Sequence, residues 1–325
     1  MITLGIETSC DETSVSVVKN GRQILSCQTY SSLKFHRKYG GIIPEIASRL
    51  QLETITQMAE AALNEARIRS KDIDLISVTS GPGLLGSLLI GISFAKSVSL
   101  ALGVPLLGVD HVHSHIYANF LDGSGVKLPF VALVVSGGHT SLFYVNDFDD
   151  IRVLGQTQDD ACGEAFDKVA KILGLGYPGG PFIEKIAMQG DPKKIRFRCS
   201  GTKGPLDFSF SGIKTAVLYT VKNKQLNISQ KRDIAASFQE TVIDALAQKS
   251  LLACKMKKVN RLVVGGGVVA NNRLREKLLE AANQKNIKCF FPPKALCMDN
   301  AAMVAGFGYQ LFRKGYRSGL DLSAH

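Results

Sequence analysis

One pattern occurs twice in the sequence: an apolar run, a short turn of small or polar residues, and a second apolar run. Its first copy covers residues 4–18 and its second copy covers residues 133–144. A unit that recurs once in each half of a chain predicts two related lobes. Between and after the copies, apolar strand patterns alternate with amphipathic helix patterns, and this alternation predicts an α/β protein.

The length of 325 residues is sufficient for two hydrophobic cores, because single cores stop growing at roughly 250–300 residues. The strand pattern restarts after Gly123 and Gly125. We therefore predict an N-terminal lobe over residues 1–125 and a C-terminal lobe over residues 126–325. The last helix of the chain is expected to pack back on the N-terminal lobe.

The longest apolar stretch covers residues 84–102 and is interrupted by four serines and Lys96. It therefore predicts a buried helix rather than a membrane span. The seven cysteines are scattered without a C-x-x-C pair, which is typical of free thiols in a reducing compartment. No charged leader precedes the first strand pattern, so we expect a cytoplasmic protein without a signal peptide.

The formal net charge of the chain is +11. Such an excess of cations favours a polyanionic partner, because each neutralised phosphate releases a counterion. The basic residues are concentrated in segments 34–38, 193–203, 255–261 and 273–277. For each segment the alternative is an ordinary solvated surface.

Three turns of small residues follow predicted strands, at residues 7–13, 136–140 and 265–268. Glycine allows the backbone to approach a phosphate closely, and turn amides attract anions. The sequence contains no G-x-x-x-x-G-K-[ST] and no G-x-G-x-x-G after the first strand, which excludes a P-loop NTPase and disfavours a Rossmann dinucleotide site. The order of the turns resembles the actin, Hsp70 and sugar-kinase (ASKHA) superfamily, whose two lobes border a central cleft with two phosphate loops and an adenosine loop.

A histidine pair follows the strand pattern at residues 105–109. His111 and His115 are four residues apart and share one face of a predicted helix, a spacing that can chelate a metal ion; the alternative is a pair of partly exposed histidines. Val112 stands where a zincin protease needs a glutamate base. Asp299 is the best candidate for a third ligand, although a residue at a helix start can also be an N-cap. Two histidines and a carboxylate would suit iron or zinc.

Motifs over nearly the whole chain resemble those of the TsaD family, once described as glycoproteases, and occur in the family order. They lie at residues 5–13, 40–49, 81–84, 111–115, 134–140, 163–168, 176–181, 208–215, 265–275 and 297–303.

The resemblance implies a two-lobed actin-like fold and an acyltransferase. Members of the family transfer the threonylcarbamoyl group from threonylcarbamoyl-AMP to N6 of the adenosine immediately 3′ of the anticodon, in tRNAs that read codons beginning with A (the t6A modification). In bacteria they act with a related inactive paralogue, TsaB, and a small ATPase, TsaE. The same partners, tRNA and no membrane are therefore expected here.

The resemblance also implies site residues. The metal ligands, for Fe²⁺ or Zn²⁺, are His111, His115 and Asp299. The substrate contacts are Val134, Val135, Ser136, Gly137, Gly138, Asp167, Gly180, Glu184 and Asn271. The adenosine loop is Gly265, Gly266 and Gly267, and the first phosphate-type loop contains Thr8, Ser9 and Glu12. Three positions depart from the common family pattern, namely Glu184, Asn272 and Met298, and no residue is identified as the general base for N6.

Three other functions are compatible with parts of the pattern. A small-molecule kinase of the same superfamily would need ATP and no histidine pair. A non-catalytic scaffold, like the family's inactive paralogue, would need neither the histidines nor Asp299. A metalloprotease is disfavoured because Val112 provides no base.

Overall fold

The computed structural model describes residues 1–123, 125–199 and 201–325. The chain divides into two compact units, and each is built on a mixed sheet with helices. Unit 1 contains residues 1–126 and 295–325, and unit 2 contains residues 127–294. The predicted α/β class is therefore confirmed.

The sheet of unit 1 contains β1 (Ile2–Glu7), β2 (Glu12–Lys19), β3 (Gln23–Ser31), β4 (Leu75–Gly81) and β5 (Leu106–Asp110). The strand order is β3-β2-β1-β4-β5. The strand β1 pairs antiparallel with β2 and parallel with β4, so the turn after β1 and the end of β4 lie at the same edge of the sheet.

The helices of the first part of unit 1 are α1 (Leu33–His36), α2 (Pro44–Ala66), α3 (Leu85–Leu102) and α4 (His111–Tyr117). Pro44 begins α2, as proline at the first helical position favours. The core contains apolar side chains from β1, β2, α2 and α3, including Leu4, Val15, Ile55 and Leu88.

The helix α3 is long and apolar enough, by length and composition, to cross a membrane, and about 33% of it is buried. Leu88, Ile92 and Ala95 belong to the core of unit 1, which is typical of a helix that packs in a globular protein. Its other face is exposed, since Leu85 and Leu100 are 65% and 69% exposed. The predicted helix is thus present, but it is buried on one face only.

The sheet of unit 2 contains β6 (Phe130–Val135), β7 (Thr140–Asp147), β8 (Asp150–Gln156), β9 (Arg261–Gly265) and β10 (Lys288–Phe290), in the order β10-β9-β6-β7-β8. Its helices are α5 (Cys162–Ile172), α6 (Gly179–Ala187), α7 (Ser211–Val221), α8 (Ile228–Lys257) and α9 (Asn272–Asn283). The strand β6 pairs antiparallel with β7 and parallel with β9. The turn after β6 and the glycines after β9 therefore lie at one edge of this sheet.

After β10 the chain returns to unit 1 and forms α10 (Ala301–Arg313), which packs on β1. The contact is close, because a Cβ atom added to Gly5 would lie 2.2 Å from the carbonyl oxygen of Ala301. Only glycine at this point of β1 allows the start of α10 to come so near. This contact places the residues just before α10 beside the end of β1.

Candidate functional site

The two histidines project from one face of α4. The carboxylate of Asp110 caps the helix by accepting a 2.8 Å hydrogen bond from the amide of His113. The rings of His111 and His115 are buried, and their centroids are 4.7 Å apart. The side chain of His113 points elsewhere and is 28% exposed. The spacing of the histidines therefore produces a pair, as the helical period predicts.

Asp299 lies immediately before α10 and faces this pair. The cap of α10 is Asn300, whose Oδ1 accepts a 3.1 Å hydrogen bond from the amide of Met303. The alternative role of Asp299 as the helix cap is therefore wrong. Its Oδ1 lies 3.1 Å from Nε2 of His115 and 3.7 Å from Nε2 of His111. Residues from distant parts of the chain thus converge within unit 1.

The distances within this group fit a metal ion. The ligand atoms of His111, His115 and Asp299 all lie within 4.8 Å of one another. Two atoms that each lie about 2.1 Å from an ion at a tetrahedral angle are about 3.4 Å apart, and the two separations from Asp299 Oδ1, 3.1 and 3.7 Å, bracket that value.

The ring of His115 is also incompletely satisfied. Both of its nitrogens are buried and lack a hydrogen-bond partner of good geometry among the described residues, although Nε2 lies 3.1 Å from Asp299 Oδ1. A hydrogen bond requires alignment as well as a short distance, so this contact does not satisfy Nε2. Buried polar atoms are seldom left without partners, and an ion held between the three side chains would provide one for Nε2.

Glu7, at the end of β1, supports His111 from the other side of its ring. Its Oε2 lies 3.0 Å from Nδ1 of His111 and accepts a 2.6 Å hydrogen bond from the hydroxyl of Thr79. Burial raises the pKa of Glu7, but the charge of His111 outweighs it and the pKa is lowered. Burial lowers the pKa of His111, but the carboxylates of Glu7 and Asp299 outweigh it and raise the pKa to about 9. Glu7 and His111 are therefore both charged at neutral pH when no ion is bound.

The sequence patterns did not identify Glu7 as a functional residue. A signal was present, since Glu7 is a lone carboxylate that ends an otherwise apolar strand pattern and precedes a polar turn. Its partner could not be recognised, because His111 follows more than a hundred residues later and meets Glu7 only through the pairing of β1 with β4 and of β4 with β5.

The turn after β1 is adjacent to the histidine pair. The hydroxyl of Thr8 donates a 2.9 Å hydrogen bond to a backbone carbonyl of α3, and the hydroxyl of Ser9 lies 3.1 Å from Nδ1 of His111. Glu12 is buried, and burial together with the nearby carboxylate of Asp299 raises its pKa well above the usual range. The turn therefore places the hydroxyl of Ser9 and the buried carboxyl group of Glu12 near the candidate metal ligands.

The turn after β6 belongs to unit 2. The predicted substrate residues here are Val134, Val135, Ser136, Gly137 and Gly138. The two valines are buried and form the end of β6. The amide of Ser136 donates a 2.8 Å hydrogen bond to the carbonyl of His139, and the amide of His139 donates a 3.1 Å bond to Ser136 Oγ. A Cβ atom at Gly137 or Gly138 would meet no atom within 4 Å. The turn is thus closed by its own bonds and has open space around its glycines.

Asp167 and Gly180 meet at the start of α6. The Oδ1 atom of Asp167, on α5, accepts a 2.6 Å hydrogen bond from the amide of Gly179, the first residue of α6. Burial raises the pKa of Asp167. A Cβ atom at Gly180 would be in open space. The carboxylate and the helix start therefore form one polar corner of unit 2.

Glu184 and Asn271 are tied to the start of α9. The Oε1 atom of Glu184 accepts two 2.8 Å hydrogen bonds, from the amide and the side-chain nitrogen of Asn272. Asn271 caps α9 by accepting from the amide of Leu274, and its Nδ2 donates a 2.9 Å bond to Gln239. Both residues thus fix the position of α9.

The glycines after β9 begin a short 3-10 turn, Gly267–Ala270. Gly266 has a φ of +97°, and a Cβ atom there would lie 2.3 Å from the carbonyl oxygen of Val135. Glycine is therefore required at Gly266 both by its backbone angle and by the closeness of β6.

Comparisons with known proteins show which family the sequence resembles. The sequence matches the family model described as "TsaD: tRNA N6-adenosine threonylcarbamoyltransferase" over residues 23–306. It is 54% identical to a tRNA N6-adenosine threonylcarbamoyltransferase of Thermodesulfovibrio yellowstonii, over 100% of this chain and 98% of the relative. It is 50% identical to the enzyme of that name from Dictyoglomus turgidum, over 100% of this chain and 98% of the relative.

Solved structures show the fold. The chain superimposes on T. kodakarensis HypF with a TM-score of 0.67 and 16% identity, over 99% of this chain and 49% of that one. It superimposes on component A of (R)-2-hydroxyglutaryl-CoA dehydratase from Acidaminococcus fermentans with a TM-score of 0.57 and 15% identity, over 96% of this chain and 98% of that one. At these identities the likeness concerns the fold alone, and it confirms the predicted actin-like class.

Proposed function

The chain belongs to the TsaD family of tRNA N6-adenosine threonylcarbamoyltransferases, and on that premise we propose how its residues carry out the reaction. The chain transfers a threonylcarbamoyl group to N6 of an adenosine in tRNA. We propose that the donor is threonylcarbamoyl-AMP and that the acceptor is the adenosine immediately 3′ of the anticodon. The observation that carries the proposal is the convergence of His111, His115 and Asp299.

The exocyclic amine of adenine is a weak nucleophile, because its lone pair is delocalised into the ring. The acyl donor must therefore be activated, and a mixed anhydride with AMP provides a good leaving group. What remains for the protein is to position the reactants and to stabilise negative charge at the attacked carbonyl. The proposed residues provide groups for both tasks.

In unit 1, His111, His115 and Asp299 would hold one divalent ion, which is Fe²⁺ or Zn²⁺ because both accept two imidazoles and a carboxylate. When bound, such an ion supplies a Lewis acid that polarises a carbonyl oxygen. Glu7 orients His111 by accepting the Nδ1 proton and leaves Nε2 available as the ligand atom.

In unit 2, the proposed adenylate site consists of the turn after β6, the corner at the start of α6 and the glycines Gly265, Gly266 and Gly267. The amides of Gly137 and Gly138 would donate to the phosphate, since the space beside them is open. Asp167 would accept from a ribose hydroxyl. Glu184 would do the same through Oε2, which has no hydrogen bond within the described part of the chain, while Asn271 would hold the start of α9 in place.

We further propose that the protein acts in the cytoplasm with a TsaB-like paralogue and a TsaE-like ATPase. A tRNA substrate supports this location. No disulfide joins cysteines of the described residues, which agrees with a reducing compartment.

A transfer assay tests the proposal. Full-length protein loaded with Fe²⁺ or Zn²⁺ is incubated with synthetic threonylcarbamoyl-AMP, an unmodified tRNA transcript and the two partner subunits, and the modified nucleoside is measured by mass spectrometry. We expect His115→Ala and Asp299→Ala to lose transfer by at least roughly 100-fold, the loss typical when an electrostatic stabiliser of the transition state is removed.

His113→Ala is the matched control, because it removes an imidazole from the same helix on the side away from the pair. It should transfer at the wild-type rate. Wild-type turnover by both His115→Ala and Asp299→Ala would contradict the role of the ion. ATP-dependent phosphorylation of a small molecule without transfer to tRNA would contradict the proposed reaction.

A further inference from the structure

Residues 33–39 of unit 1, which we name the basic aromatic segment, combine positive charge with exposed rings. The segment consists of α1 and the 3-10 turn Arg37–Tyr39. Phe35 is 38% exposed and Tyr39 is 50% exposed. Two exposed rings that share one short segment make it a candidate binding surface. Its exposed cations are Lys34, Arg37 and Lys38.

The cations of the segment accompany the rings. The Nζ atom of Lys34 lies 4.9 Å from the ring centre of Phe35, and that of Lys38 lies 4.8 Å from the ring centre of Tyr39. Within the described residues, no carboxylate is within salt-bridge distance of Lys34, Arg37 or Lys38. The positive charge is therefore not neutralised by the protein itself.

The segment is firmly attached to unit 1 by His36, which is fully buried. Its Nε2 lies 2.9 Å from the hydroxyl of Ser32, and its Nδ1 accepts a 3.2 Å hydrogen bond from the amide of Ile43. Because the hydroxyl of Ser32 donates its own proton to the carbonyl of Asp11, His36 must donate to it from Nε2. The polar side-chain atoms of Ser32 and His36 are thus all hydrogen-bonded. The exposed side chains therefore project from backbone that is held on unit 1.

The anchor connects the segment to the candidate metal centre. Ser32 binds Asp11 through both its amide, at 3.0 Å, and its hydroxyl, at 2.8 Å. Asp11 directly precedes β2, and Ser14 Oγ on β2 accepts a 3.0 Å hydrogen bond from the amide of Ala301, two residues after Asp299. The segment is therefore linked through the start of β2 to the residues around Asp299, in the same unit.

We propose that the basic aromatic segment binds the single-stranded anticodon loop of the tRNA substrate, with Phe35 and Tyr39 stacking on bases next to the target adenosine and the cations contacting the adjacent phosphates. The inference rests on the proposed function, because it adds a binding surface for the same substrate. Bases of a single-stranded loop are free to stack on aromatic rings. Cations interleaved with rings are the usual combination for binding single strands without reading their sequence.

The first test measures binding of an unmodified anticodon stem-loop RNA to the metal-loaded full chain, alone and with the partner subunits, by fluorescence anisotropy. The double variant Phe35→Leu/Tyr39→Leu keeps apolar side chains but removes the rings. We expect its affinity for the stem-loop to fall by at least about fivefold, since each stacked base contributes roughly 1 kcal/mol or more. Affinity for a fully paired RNA of equal length should not change.

The second test separates charge from stacking. In the triple variant Lys34→Gln/Arg37→Gln/Lys38→Gln, the slope of log affinity against log salt should become shallower by about 2, because each lost phosphate contact in a single strand contributes about 0.7. The ring variant should retain the wild-type slope. In the transfer assay, both variants should raise KM for tRNA without lowering kcat, because neither touches the reacting atoms.

Tyr219→Leu/Lys222→Gln is the matched control, since it removes a 67% exposed ring and an exposed cation from unit 2. It should bind the stem-loop like the wild type. Wild-type affinity and wild-type salt slope in both segment variants would overturn the inference. It would also be overturned if the variants bound RNA normally and lost only the binding of a partner subunit. If the wild-type protein still transfers threonylcarbamoyl to tRNA, such results would leave the proposed function intact. A wild-type protein without this transfer activity would refute the function itself.

Discussion

Glu7 and Asp299 approach His111 at different ring nitrogens. Glu7 lies 3.0 Å from Nδ1, and Asp299 lies 3.7 Å from Nε2. A carboxylate that accepts the Nδ1 proton fixes the ring orientation and makes the other nitrogen a better ligand. The chemistry of this one imidazole therefore depends on a residue that would not contact the ion.

This arrangement makes the affinity for an ion depend on pH. Without an ion the pKa of His111 is raised to about 9 by Glu7 and Asp299, against the effect of burial. An ion that binds at a pH below this value must displace the Nε2 proton. We expect the affinity for Zn²⁺, measured by competition with a chelator, to rise about tenfold per pH unit from neutral pH up to this pKa and then to level off.

Glu7→Gln removes the charge that raises this pKa, so the affinity of the variant should vary less with pH. Its limiting affinity at high pH should be about 10- to 100-fold weaker than that of the wild type, the usual loss when a residue supporting a metal ligand is changed. Glu65→Gln is the same substitution at an exposed position of α2 and should behave like the wild type. An unchanged pH profile in Glu7→Gln would refute the role of Glu7.

At the residue scale, the histidine pair could be predicted because four-residue spacing on a helix is a local property. The third ligand was harder, since Asp299 and Asn300 are adjacent and either could cap the next helix. Only the packing of α10 on β1 decides which of the two side chains caps α10.

At the scale of elements, apolar patterns predicted the strand pairs β1–β2 and β6–β7, the strand β5 and the helix α3. They missed β3 and β8, whose residues are mostly half-buried or exposed. Both lie at sheet edges next to strands that were predicted. Their strand form depends on pairing with a neighbour, and a neighbour cannot be read from a local pattern.

The packing of α9 on α8 includes a charge cluster centred on Glu240. The carboxylate of Glu240, on α8, lies 2.8 Å from Arg273 and 2.8 Å from Lys277, both on α9. Hydrogen bonds from Arg273, opposed by partial burial, lower the pKa of Glu240 to about 2. The cluster thus links two helices of unit 2.

The lowered pKa of Glu240 makes the stability of the fold depend on pH. A carboxyl group whose pKa is lower in the folded state stabilises the fold at pH above its unfolded pKa, and the stabilisation is lost as pH falls through the folded value. We expect Glu240→Gln to reduce the free energy of unfolding at neutral pH by about 1 kcal/mol, because the cluster is partly exposed and solvent screens it.

Urea unfolding measured between neutral pH and about pH 3 checks this prediction. The difference between Glu240→Gln and the wild type should narrow below about pH 4.5, where the unfolded carboxyl group becomes protonated. A difference that stays constant over this range would show that the cluster acts through packing and not through charge.

At the scale of the whole molecule, the net charge of +11 favoured a polyanionic partner without locating it. Charge counts could not distinguish paired from unpaired cations. In segment 273–277, Arg273 and Lys277 are neutralised by carboxylates of α8. The basic aromatic segment has no such partners among the described residues and carries the exposed rings of Phe35 and Tyr39 as well. The fold, and not the composition, therefore selects the surface for RNA.

After β10 the chain returns to unit 1. It brings Asp299 to histidines that precede it by nearly two hundred residues, within unit 1. An ion held by all three residues would join the first and last parts of that unit.

X-ray absorption spectroscopy of the metal-loaded full chain tests this convergence most directly. We expect one ion per chain with two imidazole nitrogens and a carboxylate oxygen at about 2.0–2.2 Å. Asp299→Ala should lose the carboxylate from this shell, and His113→Ala should leave the spectrum unchanged. A coordination shell without imidazole, or one that is the same in Asp299→Ala, would refute the convergence of His111, His115 and Asp299 on one ion.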